Sequence, residues 1–170
     1  MSGGPPAPGP IPEQDPTERV TGVAGTLAER QAALVATLTA GAPVPPGFDA
    51  RLVEVARSAL LRKRAGDVAR HWPLLAAGLG ERWLAVFARW AATRPTQGSL
   101  RDGWDLARGL AGEGPLPAPA AEELAVREAL WRYDGTTAPR RRRLPAIRRT
   151  DGGTVLQLAG RIRLWSDRNR

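Results

Sequence analysis

Cysteine is absent from the 170 residues, which excludes disulfides, a thiolate nucleophile and any Cys-based zinc or iron–sulfur site. Histidine occurs once, at His71, and lysine once, at Lys63. A single imidazole leaves little room for histidine-based acid–base or metal chemistry. Leu, Ile, Val and Phe together number 35, near the lower edge of a globular composition. Six Trp and 29 Ala supply further apolar bulk. No apolar run approaches the roughly 18 residues of a membrane span. The opening Met1-Ser2-Gly3-Gly4-Pro5-Pro6 lacks the basic and apolar regions of a secretory signal, so a cytoplasmic protein with no membrane partner is expected.

Arginine, by contrast, is abundant. It makes up 24 of the 25 basic residues, and the net charge is +8. Residues 1–137 hold 15 basic and 15 acidic groups, whereas residues 138–170 hold ten Arg against Asp151 and Asp167. The whole excess therefore sits in the last segment, beginning at Arg140-Arg141-Arg142-Arg143. Such a block sets up a positive field that attracts an acidic protein face, an acidic peptide or nucleic acid. The plainer alternative is a solvated basic linker.

Residues 1–16 contain six Pro and three Gly with one large aliphatic, Ile11, and are expected to be a disordered tail. A helical bundle is expected over residues 17–135. Thr26 and Glu29 read as a capping box opening its first helix, with Gly41 as the stop. Asp49 is the N-cap of a second helix, whose expected apolar stripe is Leu52, Val53, Ala56, Ala59 and Leu60. Trp72 precedes a proline and must end it, and Pro73 opens a short third helix closed by Gly78-Leu79-Gly80. A fourth helix, from about Glu81 to Thr93, carries Trp83, Leu84, Phe87 and Trp90, the expected centre of the core. Leu60, Leu100, Trp104 and Leu124 are expected to pack around it. Ser99 with Asp102 reads as the cap of a fifth helix, and Pro119 opens a sixth running to Trp131. A basic linker, residues 136–144, leads to an alternating pattern over residues 145–166, which predicts a β-hairpin or meander. The fold class is thus mainly α: a compact bundle of five or six helices with a short C-terminal β appendage.

Few residues suggest catalysis. His71 and Asp67 share a helix face, but with no nucleophile placed beside them a surface ion pair is the simpler reading. Gly78-Leu79-Gly80 has no preceding strand, and no phosphate-loop lysine motif occurs. Glu122, Glu123 and Glu128 lie early in a helix, where carboxylates offset the macrodipole. No catalytic residue, metal site or cofactor site is assigned.

Residues 58–112 carry a family resemblance. Ser58-Ala59-Leu60-Leu61-Arg62-Lys63-Arg64 leads into Val68-Ala69-Arg70-His71-Trp72-Pro73-Leu74-Leu75, then Leu79-Gly80-Glu81-Arg82-Trp83, Arg94-Pro95 and Ser99-Leu100. Leu116-Pro117 and Leu124 to Leu130 extend it. This pattern resembles the helical N-terminal domain, labelled DNA-binding, of accessory proteins encoded beside multinuclear non-haem iron oxidative enzymes. A short actinobacterial-type branch is the most similar part of that group. The resemblance implies a non-catalytic adaptor without a cofactor of its own. Its partners would be an iron-dependent peptide-modifying enzyme and an acidic, ribosomally made precursor peptide. Two docking surfaces are open. One is the Arg62 and Arg64 face with the Trp72-Pro73 corner. The other is the basic segment, with Arg140, Arg141, Arg142, Arg143, Arg148, Arg149, Arg161 and Arg163 around a strand edge near Val155 to Leu158. An extended peptide would add to that edge by main-chain hydrogen bonds. The alternative function is nucleic-acid binding by the same basic segment.

Overall fold

The computed structural model describes residues 26–143, 145–150, 153–158 and 161–166; the disorder expected for residues 1–16 lies outside them. Among the described residues there are six α-helices: α1 (Leu27–Ala40), α2 (Ala50–His71), α3 (Pro73–Leu79), α4 (Trp83–Ala91), α5 (Ser99–Glu113) and α6 (Ala118–Leu130). Five strands follow: β1 (Trp131–Arg132), β2 (Arg140–Arg141), β3 (Ala146–Thr150), β4 (Gly153–Leu158) and β5 (Arg161–Ser166). The class is mainly α with a small C-terminal β region, as expected. No helix among the described residues is long and apolar enough to cross a membrane.

Local chemistry sets most boundaries. Thr26 and Glu29 exchange the two hydrogen bonds of a capping box, and Gly41 ends α1 with φ 72°. The Asp49 carboxylate accepts from the Arg51 and Leu52 amides at 2.8 and 3.2 Å and starts α2. Pro73 takes the first position of α3, where its missing N–H costs nothing. A 3₁₀ turn, Gly80–Arg82, occupies the expected start of α4. At α5 the expected cap fails: Gly98, at φ 97°, holds the N-cap position, and no side chain caps it. Asp102 points instead into the bundle. The sixth helix stops at Leu130, and Trp131 enters a strand.

The core forms where α2 and α3 meet α5, one step away from the expected centre. Trp72, Leu75, Phe87, Trp104 and Leu106 are its largest fully buried side chains. Of the α4 residues expected inside, only Phe87 is fully buried; Trp83 and Trp90 are half-buried and Leu84 is exposed. Of the expected surround, Trp104 is fully buried, while Leu60, Leu100 and Leu124 are half-buried. The rings of Trp72 and Trp104 meet edge to face at 5.8 Å, a favoured aromatic geometry. That approach requires Gly103, because a Cβ there would lie 2.2 Å from Trp72 Cδ1.

The expected stripe of α2 also shifts. Leu52, Ala56 and Ala59 are exposed, and the buried positions are Val53, Arg64, Ala65 and Val68. Arg57 and Arg64 lie on the inward side because α4 ends there with free carbonyls. Arg57 Nη2 donates to Ala92 O at 2.7 Å, and Arg64 Nη1 donates to Arg94 O at 3.0 Å. Cations at a helix C-terminus also oppose the macrodipole.

Helix α6 secures the corner between α2 and α3. Trp72 has no side-chain oxygen to cap α3, and the Glu123 carboxylate of α6 accepts from Leu75 N at 2.8 Å in its place. Four residues on, Arg127 donates to His71 O, the last carbonyl of α2, and lies 4.2 Å over the Trp72 ring. The expected macrodipole role in α6 is corrected, because no acidic residue lies in its first turn; Glu123 instead caps α3 from another helix.

The far side of α6 carries the C-terminal sheet, in the order β3-β4-β5, all antiparallel. Ala125 and Ala129 of α6 pack against Val155, with Val126 and Ile162 alongside. A separate two-stranded ribbon pairs Trp131 with Arg141 and Arg132 with Arg140.

Candidate functional site

The predicted partner-binding residues fall into two groups. In the helical group, Arg62 is exposed, but Arg64 and Trp72 are buried. Arg64 Nη2 sits 3.2 Å from Asp102 Oδ2, and Trp72 Nε1 donates to Leu100 O at 2.9 Å. Both side chains are committed to packing, so neither presents a docking surface. The Trp72-Pro73 corner is a structural joint.

Among its described residues, the basic segment makes strands and specific contacts. Asp134 organises its entry: its carboxylate accepts from the amides of Thr136 and Thr137 at 2.9 and 2.7 Å and from both hydroxyls. The Thr137 amide, and then that of Thr136, hold the Asp134 carboxyl well below its ordinary value of 3.8. A carboxyl lowered on folding contributes stability above its ordinary pKa, and that stability disappears as pH falls through the folded value. Asp134→Ala should therefore melt lower than the parent at pH 6, with the gap closing as the acid range is entered. Thermal melts in steps from pH 6 to pH 2 check this; a gap that stays constant would refute it.

Beyond that turn, the arginine run divides. Arg142 is half-buried and donates through Nε to Glu128 O at 2.9 Å and Trp131 O at 3.1 Å, while its amide bonds Leu130 O at 2.8 Å. It closes the C-terminal end of α6. Arg141 lies 5.3 Å over the Trp131 ring and remains exposed, as do Arg140 and Arg143.

The sheet places the other arginines at its borders. Because β4 lies between β3 and β5, Val155, Leu156 and Gln157 are paired on both sides and leave no open edge. The expected strand addition there is corrected: the outer edges of the sheet belong to β3 and β5. Arg148 and Arg149 lie on the first, Arg161 and Arg163 on the second. Direct cross-strand partners share a face. Arg149, Thr154 and Trp165 thus form one row, and Ile147, Leu156 and Arg163 form another. This face leaves Ile147 and Leu158 each 58% exposed and Trp165 52% exposed.

Glu128, expected early in its helix as a macrodipole partner, stands near the end of α6 and has a different role. Its carboxylate accepts from Arg108 Nε at 2.7 Å through one oxygen and lies 3.7 Å from Arg148 Nε through the other. It joins α5, α6 and β3 at one point. Arg108 also reaches Tyr133 O at 3.1 Å and lies over the Trp104 and Tyr133 rings. Nearby, Tyr133 Oη donates to Asp105 at 2.9 Å, and burial raises the pKa of both groups. A cavity of about 440 Å³ opens beside Glu128, between α6, the loop preceding it and β3. Nothing short-range marks this junction, since its members lie 20 residues apart (Arg108 and Glu128) and again 20 apart (Glu128 and Arg148).

The family model described as the SCO6045-like, C-terminal domain matches residues 28–112, which run from α1 almost to the end of α5. The chain belongs to this family. It is also 39% identical over 123 residues to a UPF0276 protein of Streptomyces avermitilis, an alignment covering 72% of this chain and 25% of that protein. The matched part thus spans about a quarter of the relative's length. No solved structure matches the chain.

Proposed function

We propose that this protein is a cytoplasmic, non-catalytic adaptor that presents a ribosomally made precursor peptide to a multinuclear iron-dependent oxygenase. The observation that carries the reading is the C-terminal sheet, whose two outer edges, open among the described residues, both bear arginine pairs. An open edge recognises extended chain through main-chain hydrogen bonds, and flanking arginines favour an acidic one. The resemblance over residues 58–112 supports the same role. So does the relative, in which the matching segment is a quarter of a longer chain, as befits a module that works beside another domain.

The test is co-expression with the oxygenase, followed by titration with the leader of its precursor peptide. A complex at micromolar concentration, weakened at least tenfold by reversing Arg148 and Arg149 to Glu, is the expected result. Failure to form a complex with either molecule would overturn the reading.

The exposed Trp165 beside Arg163 favours a second reading, single-stranded nucleic-acid binding by stacking and charge. Its signature is a steep fall of affinity with salt, lost when Arg140, Arg141 and Arg143 become Ala. Arg142 should be left in place, because it closes α6.

A further inference from the structure

The sheet has two arginine-bearing edges, and a cavity adjoins the one on β3. Successive side chains of a strand point to opposite faces. A cavity lined by both Arg148 and Arg149 must therefore run along the edge of β3 and not under one face of it. Its remaining wall is mostly apolar, with Ala111 at the end of α5, Leu116 in the connecting loop and Ala121 and Leu124 on α6. At about 440 Å³ it falls within the roughly 300–1,000 Å³ range of ligand pockets and has room for a bulky side chain. Among the described residues β3 pairs only with β4, so its other edge has no strand partner there.

The charges around this cavity are unbalanced. Glu128, its one acidic lining residue, already serves Arg108 and Arg148. Arg149 is exposed and has no ion pair among the described residues. A carboxylate arriving along the β3 edge would find a guanidinium ready to accept it.

We propose that the β3 edge and its adjoining cavity form a binding site for an extended acidic peptide, anchored by one large apolar side chain placed in the cavity. This rests on the adaptor reading and locates its peptide site. The peptide would lie as a fourth strand beside β3. Its anchor would pack on Leu116 and Leu124, and a neighbouring Asp or Glu would meet Arg149. Recognition is thus a short pattern, one large apolar residue flanked by acids, with the main chain supplying most of the affinity.

The probe is a set of capped nonapeptides of Glu, Ser and Thr with Ala, Leu, Phe or Asp at the centre, titrated into the full chain. Fluorescence polarisation and amide shifts are both read. The Leu or Phe peptide is expected to bind at least tenfold tighter than the Ala or Asp peptide, with shifts concentrated in Ala146 to Thr150 and in α6. Alternate N-methylation of the peptide backbone should abolish binding. Ala111→Phe fills the cavity from an exposed position and should weaken the Leu peptide at least tenfold; Ala118→Phe does the same from the other wall should the first variant fold poorly. Arg149→Glu should weaken it similarly and flatten its salt dependence.

Equal affinity for the Ala and Leu peptides, indifference to both cavity-filling variants, or shifts centred on β5 would each overturn the proposal. So would a 15-residue oligothymidine that displaces the peptide with comparable affinity, which would turn the edge into a nucleic-acid site. A leader peptide that binds with the enzyme yet ignores these variants would overturn the cavity assignment alone. Loss of the enzyme complex itself would instead count against the adaptor reading.

Discussion

Asp102→Ala is expected to lower the unfolding free energy by roughly 3–5 kcal/mol, the range for removing one partner of a buried ion pair. Asp102 is 3% exposed, and its Oδ2 accepts from Arg64 Nη2 at 3.2 Å and Thr96 Oγ1 at 2.6 Å. Its other oxygen accepts from Gln97 N at 2.9 Å. Without the carboxylate, Arg64 keeps its bond to Arg94 O but loses its counter-charge inside the bundle. The loss comes mainly from the stranded cation, so a double change removing both charges should cost much less. Arg64→Met with Asp102→Leu should recover at least half of the deficit. Denaturant unfolding of the three proteins decides this. A double variant as unstable as Asp102→Ala would show that hydrogen bonds to Thr96 and Gln97, and not the uncompensated charge, dominate.

Trp72→Ala should cost a similar amount, roughly 3–5 kcal/mol for a large core aromatic. Trp72 is wholly buried, and its loss also removes the indole bond to Leu100 O and leaves Arg127 without its ring. Gly103 makes the prediction sharper. In the parent, Gly103→Ala drives a methyl into the indole and should destabilise by about 1–3 kcal/mol or more. In the Trp72→Ala background the same methyl enters vacated space. There it should stabilise by up to about 1 kcal/mol, the helix preference of Ala over Gly. Urea melts of the four proteins in the cycle measure the coupling. A Gly103→Ala effect of the same sign in both backgrounds would contradict the packing described.

The parts of this fold governed by neighbours in sequence were legible, and the parts governed by distant residues were not. Thr26 with Glu29, Asp49, and Trp72-Pro73 act within one helical turn, so their boundaries could be read directly. The inward face of α2 could not, because Arg57 and Arg64 interrupt its apolar pattern, and their partners Ala92, Arg94 and Asp102 lie 30 to 38 residues away. Ser99 showed a capping pattern, yet Asp102 was engaged more strongly by Arg64 and Thr96. Alternation predicted strands over residues 145–166, but alternation carries no information about strand order. That order decides which strand has an open edge. The cavity beside β3 was invisible for the same reason, since it is formed by α5, α6 and β3 only when the chain is folded.

The outer edges of the sheet also bear on how this protein behaves when concentrated. A three-stranded sheet with two unpaired borders can, in principle, stack border to border into a continuous ribbon. Here each border carries two arginines, Arg148 and Arg149 on one side and Arg161 and Arg163 on the other. Two copies brought together in this way set like charges against each other, in whichever pairing they meet. The arginines of the described borders therefore oppose this stacking electrostatically, without opposing the acidic strand proposed above. Because that repulsion acts through solvent, it weakens as the Debye length shortens from about 10 Å at 0.1 M salt to about 3 Å at 1 M. High salt thus lowers the barrier to self-association, and by the same screening it would loosen the hold on the acidic peptide proposed above.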